Sequence, residues 1–162
     1  YSDIPDIVAK FGSSFILGAQ DHGLITCAKH FPGHGNTEID SHTSLPTIEG
    51  SQKEFEANEL APFQKAIYSG VKMIMVGHIA LPGWEKSVKH ASHSFEIISE
   101  LLRKKMGFNG LIITDGMEMG GLTKEAWAGE SAVRAVEAGV DILLLPMDVN
   151  HTINSIRSIC IF

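Results

Sequence analysis

Gly107-Phe108-Asn109-Gly110-Leu111-Ile112-Ile113-Thr114-Asp115-Gly116 decides the fold. A glycine suited to ending a helix leads into an apolar run, which gives way at once to a carboxylate and a further glycine. Leu111-Ile112-Ile113 lacks the polar alternation of a half-exposed strand, so it reads as a strand covered on both faces. The polar residues then mark the point where that strand emerges.

The same unit occurs three more times. Leu24-Ile25-Thr26-Cys27-Ala28 follows Gly23, Met73-Ile74-Met75-Val76 follows Gly70, and Ile142-Leu143-Leu144-Leu145 follows Gly139. Helical spacing precedes each run. Residues 6–20 carry Ile7, Phe11, Phe15 and Ala19, with Pro5 suited to a first helical position. Residues 52–68 read as helix, with Pro62 marking a break or a fresh start. Residues 94–106 place Arg103, Lys104 and Lys105 near the carbonyl end, where cations are favoured. Residues 124–138 form the last helix, with Thr123 as its cap.

Helix and strand alternating four times predict parallel strands joined by right-handed crossovers. The expected fold class is α/β, with about four parallel strands and crossover helices forming one domain over residues 1–162. Four strands cannot close an eight-stranded barrel. The expectation is a portion of a (β/α)8 TIM-type barrel completed by a missing barrel segment, with a compact open sheet as the alternative.

In such a barrel, chemistry gathers at the carboxyl ends of the strands. Lys29-His30, Gly77-His78, Thr114-Asp115-Gly116 and Pro146-Met147-Asp148 all fall there. Asp115 is placed to attack an anomeric carbon and to stabilise positive charge developing on it; the alternative is a helix N-cap. Lys29, His30 and His78 share the rim and are candidates for orienting sugar hydroxyls.

The polar loop over residues 29–46 contains Lys29-His30-Phe31-Pro32-Gly33-His34-Gly35 and then Asp40-Ser41-His42. An Asp bonded to one imidazole nitrogen raises the basicity of the other, making a proton-transfer group near neutral pH. Asp40 and His42 fit such a dyad. They also fit a metal site with His30, His34 and His78, or ordinary loop polarity, since spacing alone does not establish contact. Neither HExxH nor a cysteine cluster is present, and no phosphate-loop pattern appears.

Bulk properties narrow the partners. The 162 residues are 44% hydrophobic, enough for one ordinary core. A net charge of -6, spread along the chain, argues against a nucleic-acid groove. No apolar run approaches the roughly 20 residues of a membrane-spanning helix. Two cysteines, Cys27 and Cys160, make no disulfide framework. Bacterial cytoplasm, periplasm and secretion all remain open as compartments.

Taken in order, the 29–35 motif, Asp40-Ser41-His42, Gly77-His78-Ile79-Ala80-Leu81-Pro82 and Thr114-Asp115-Gly116-Met117-Glu118-Met119 resemble the β-N-acetylglucosaminidase branch of glycoside hydrolase family 3. The resemblance spans residues 1 to about 150. It implies an N-terminal (β/α)8-type domain and retaining exo-hydrolysis of terminal β-linked N-acetylhexosamine. The implied substrates are N-acetylglucosamine-containing oligosaccharides or glycosides. It further implies that Asp115 is the nucleophile, His42 the acid/base and Asp40 its partner, with Lys29 and His30 binding sugar. No cofactor is expected. Phosphate as an alternative acceptor, a non-catalytic sugar-binding or assembly fragment, and a metal-dependent hydrolase are the competing readings. The sugar-contacting Asp and Arg of the family have no match in this chain.

Overall fold

The computed structural model describes residues 2–34, 46–48, 50–84, 90–118 and 128–159. Three parallel strands, β1 (Cys27–Phe31), β2 (Met73–Val76) and β3 (Leu111–Thr114), lie in the order β1-β2-β3. β2 and β3 run in unbroken register from Met73↔Leu111 to Val76↔Thr114, whereas β1 slips against β2 between Ala28 and Phe31. Residues 142–145 fall short of the expected strand. Ile142 makes a single parallel bridge to Ile113, and Leu145 then turns the chain aside at φ 47. A left-handed leucine costs on the order of 1–2 kcal/mol and ends the extended run.

β1 also begins three residues later than its apolar run. Leu24 and Ile25 are 62% and 70% exposed, because the ladder starts where Cys27 meets Met73. The four glycines read as helix stops, Gly23, Gly70, Gly107 and Gly139, all have positive φ.

Helix α1 (Pro5–Gln20) matches expectation. Residues 52–68 divide into α2 (Gln52–Asn58) and α3 (Leu60–Tyr68). The division puts Pro62 in the first turn of α3, where a missing N–H costs no helical bond. Ser51 and Glu54 close a reciprocal cap at the start of α2. Helix α4 (Glu96–Lys105) is wound in the wider π pattern, seen also where Met106 N donates to Leu101 O. Helix α5 spans Ala128–Ala138; the expected start at residue 124 and the Thr123 cap lie outside the described residues. Helix α6 (Val149–Ile159) had no counterpart in the sequence reading, although Asp148 accepts a bond from His151 N at 2.9 Å in the manner of a cap.

The sheet is covered by α3 and α4. Phe31, Ile74, Val76, Ile97, Ile98, Leu102 and Ile112 are all 0% exposed. Phe31 meets Phe63 of α3 edge to face at 5.2 Å. Outside this layer, α1 packs on α3 and α5 on α6. A domain of parallel strands with helical crossovers is therefore present, and its carboxyl edge is rigidly backed by core.

Candidate active site

The carboxyl ends of the three strands are tied across the sheet by main-chain bonds. Gly77 N donates to Phe31 O at 2.8 Å, and Asp115 N donates to Val76 O at 2.9 Å. These bonds bring the residues after β1, β2 and β3 to one level. Gly77 makes room for this: a Cβ there would stand 3.2 Å from His30 Cβ and 3.0 Å from Ile79 Cδ1.

Asp115 and His30 meet on this edge. His30 Nε2 lies 3.6 Å from Asp115 Oδ2, with side chains 27% and 19% exposed. That separation exceeds a hydrogen bond. Burial lowers the His30 pKa; the Asp115 charge opposes the shift, while Lys29 and His34 reinforce it. At neutral pH the carboxylate thus faces a neutral imidazole. Asp115 Oδ1 is held differently, accepting from Gly116 N at 2.8 Å. One oxygen is anchored to an amide and the other is directed across the rim.

Lys29 is exposed on the same strand end. The His34 ring stands edge-on to His30, with centroids 6.1 Å apart. Asp40 and His42 lie outside the described residues. The chain returns at Pro46, where Ala80 N donates to Pro46 O at 2.8 Å and Ile48 N donates to Ala80 O at 3.0 Å. Both ends of the loop are therefore fastened to the strand-end layer.

His78 differs from the expected sugar contact in its surroundings. It is 2% exposed, and both ring nitrogens are engaged within the protein: Nδ1 lies 2.8 Å from Ser92 Oγ and Nε2 3.2 Å from the Gly116 carbonyl oxygen. Burial pushes its pKa down to about 4, so the ring is neutral. Behind it, His90 stands at 6.1 Å and His93 a further 5.3 Å on, measured between ring centroids. The His93 pKa is pushed to about 3, first by burial and then by its histidine neighbours.

Ser92 went unnoticed in the sequence, and Thr114 was read there only as part of the strand-end motif. Ser92 is 0% exposed beneath the site, and Thr114 Oγ1 accepts from Leu144 N at 3.0 Å, joining the fourth strand position to β3. Ser92 carries no motif, and only the buried setting of the two hydroxyls identifies their roles. Met117 is buried beside the turn, and Glu118 points to solvent.

Among the described residues, no three His, Cys, Asp or Glu side chains come together as metal ligands. His30, His34 and His78 therefore do not group as three ligands by themselves, and Asp40 and His42, the other candidates, lie outside the described residues. A cavity of about 230 Å³ opens against α2, lined by Glu54, Glu59 and Trp84 among others, and it shares none of the residues around Asp115.

Comparison with known proteins agrees with this fold. Residues 1–160 match the model of the glycosyl hydrolase family 3 N terminal domain. The chain is 31% identical over 162 residues to beta-hexosaminidase A of Pseudoalteromonas piscicida, covering 93% of this chain and 27% of that protein. Among solved structures it superimposes on a glycoside hydrolase family 3 beta-N-acetylglucosaminidase from Paenibacillus sp. str. FPU-7 with a TM-score of 0.91 and 37% identity. That match covers 94% of this chain and 30% of the other. Zinc-bound CbsA from Thermotoga neapolitana gives a TM-score of 0.91 at 34% identity, over 96% of this chain and 34% of that one. The chain spans about a third or less of the length of these relatives.

Proposed function

We propose, starting from the premise that this chain belongs to the glycosyl hydrolase family 3 N-terminal domain family, that Asp115 is the nucleophile of a retaining exo-β-N-acetylglucosaminidase. The observation that carries the reading is the Asp115 carboxylate itself. It stands on a rigid strand end, with Oδ1 held by an amide and Oδ2 turned toward His30 across the rim.

The cycle has two displacements. Protonated His42 gives its proton to the glycosidic oxygen while Asp115 attacks the anomeric carbon, releasing the alcohol and leaving a glycosyl ester. Neutral His42, oriented by Asp40, then removes a proton from water. The water oxygen displaces Asp115 from the anomeric carbon, which restores the carboxylate and protonated His42. Lys29 and His30 bind sugar hydroxyls beside the nucleophile. The neutral His30 ring can donate one hydrogen bond to sugar without quenching the charge on Asp115.

The substrates follow as terminal β-linked N-acetylglucosamine units on oligosaccharides or glycosides. Residues 1–162 contribute part of the catalytic barrel, and a further barrel segment completes it. The limited share of each relative that the chain covers supports this division.

Mass spectrometry after incubation with a 5-fluoro N-acetylglucosaminyl inactivator tests the reading, using the longest polypeptide that carries this sequence. A covalent adduct on the peptide containing Asp115 is expected. An adduct on another carboxylate, or undiminished turnover in Asp115→Ala, contradicts it. Reversible N-acetylglucosamine binding with neither labelling nor turnover would instead indicate a non-catalytic sugar-binding segment.

A further inference from the structure

Gly116 is gripped at both of its backbone polar groups. Its N–H donates to Asp115 Oδ1 at 2.8 Å, and its carbonyl accepts from His78 Nε2 at 3.2 Å. A carbonyl oxygen only accepts, so Nε2 carries the His78 proton. In the neutral ring Nδ1 is then an acceptor, and the Ser92 hydroxyl at 2.8 Å donates to it. Proton positions along Ser92, His78 and Gly116 are thereby ordered in one direction. Ser92 is 0% and His78 2% exposed, so water does not compete for these bonds.

We infer that Ser92 and His78 are positioning residues: by holding the Gly116 carbonyl they fix the backbone at Gly116, whose N–H, on the adjoining peptide, captures Asp115 Oδ1 and leaves Oδ2 as the attacking oxygen. The inference rests on the reading of Asp115 as nucleophile. A carboxylate tied through one oxygen cannot rotate freely, and its second oxygen is presented along a fixed direction. That is the preorganisation a displacement at an anomeric carbon needs, and small misplacements there are costly. A direct sugar contact would require a ring nitrogen of His78 open to the rim, whereas both nitrogens are spent inside. The titratable groups around the ring are Asp115 on the strand-end side and His90 and His93 behind it. Burial is the larger influence and keeps the ring neutral.

Three variants separate positioning from packing. His78→Leu removes the donor to Gly116, His78→Gln restores an amide donor near the Nε2 position, and Ser92→Ala releases the tautomer. Each is measured for kcat, KM and the rate of Asp115 labelling by the 5-fluoro inactivator, again in the longest polypeptide carrying the sequence. His78→Leu is expected to lower kcat and labelling by about 30- to 100-fold with KM within about two-fold. His78→Gln should recover at least about one third of the lost rate on a logarithmic scale, and Ser92→Ala should lose about five-fold. Unchanged kcat in His78→Leu, a rise confined to KM, or equal losses in His78→Leu and His78→Gln overturns the proposal. Where His78→Leu does not fold, ¹⁵N NMR of the wild-type ring decides: an Nε2-protonated tautomer that becomes mixed in Ser92→Ala supports the ordered chain, and an Nδ1-protonated ring refutes it. Wild type that neither turns over nor labels removes the nucleophile reading and this proposal with it. Wild type that labels while the variants label equally fast removes this proposal alone.

Discussion

Asp115 and Asp141 occupy opposite ends of the sheet, and the protein treats them in opposite ways. Asp141, at the amino end beside β3, accepts from Arg103 Nη2 and from Ile112 N at 2.7 Å. Arg103 also donates to the carbonyls of Phe108 and Gly110, so its charge is met by Asp141 and much of its remaining donor capacity by backbone. Asp115, at the carboxyl end, is met by one amide and a neutral imidazole beyond hydrogen-bond range. The difference separates a carboxylate that holds the sheet together from one left with an unspent oxygen, as the proposed nucleophile requires.

The largest expected effect breaks the carboxyl side of that comparison. Asp115→Ala should lower kcat/KM by about 10⁴-fold, equivalent to about 5–6 kcal/mol of lost transition-state stabilisation. Its thermal midpoint should stay close to wild type. Steady-state kinetics and calorimetry on the same preparation check both halves.

Asp141→Asn sharpens the amino side, with the effects reversed. The pair with Arg103 is partly exposed, at 26% and 38% of the two side chains, which discounts its electrostatic worth. Loss of the charge should cost about 1–2 kcal/mol in denaturant titration, mostly through weakened bonds to Arg103 and Ile112 N. Turnover at low temperature should be unchanged.

Acid should act on the carboxyl side through the buried ring beneath it. His78 has its pKa depressed to about 4 from 6.5, so between those values the unfolded chain binds a proton that the folded chain refuses. Stability therefore falls as pH drops through this window. The loss is on the order of 3 kcal/mol for this group by pH 4. Urea titrations at several pH values should show the decline in wild type, and His78→Gln should remove this ring's share of it, leaving the share of His93, whose pKa is pushed to about 3. A pH-independent midpoint between 7 and 4 would contradict the assignment of a buried neutral ring.

Smaller effects are expected from steric change and from chelation. Gly77→Ala forces its new methyl group against His30 and Ile79 and should cost about ten-fold in kcat/KM, with little loss of stability. Chelation should leave turnover unaltered. A loss on EDTA treatment that zinc restores would favour the metal-dependent reading.

Much of this contrast was legible in the sequence. The apolar runs at 73–76 and 111–113 became strands, although Met73 and Met75 are only half-buried and Leu111 is 46% exposed, and Asp115 followed directly from its place after β3. The first and fourth runs were less faithful. Leu24 and Ile25 are apolar but have no ladder partner, and Leu145 leaves the extended conformation, features set by neighbouring backbone rather than by composition. Arg103 read as a helix-end cation, yet its bonds reach across to Asp141, a pairing over 38 residues that local pattern does not reveal. Ser92 was invisible for the same reason: a serine becomes informative only once His78 is seen against it. The proposed proton-transfer role of Asp40 and His42 rests on the family motif, and these two residues lie outside the described part of the chain.

Azide rescue of Asp115→Ala tests the central claim most directly. With an activated aryl β-N-acetylglucosaminide as substrate, azide should enter the space vacated by the carboxylate, restore release of the aryl group, and give the α-glycosyl azide by ¹H NMR. A β-glycosyl azide would assign Asp115 to acid/base work instead, and turnover equal to wild type without azide would contradict a nucleophilic role altogether.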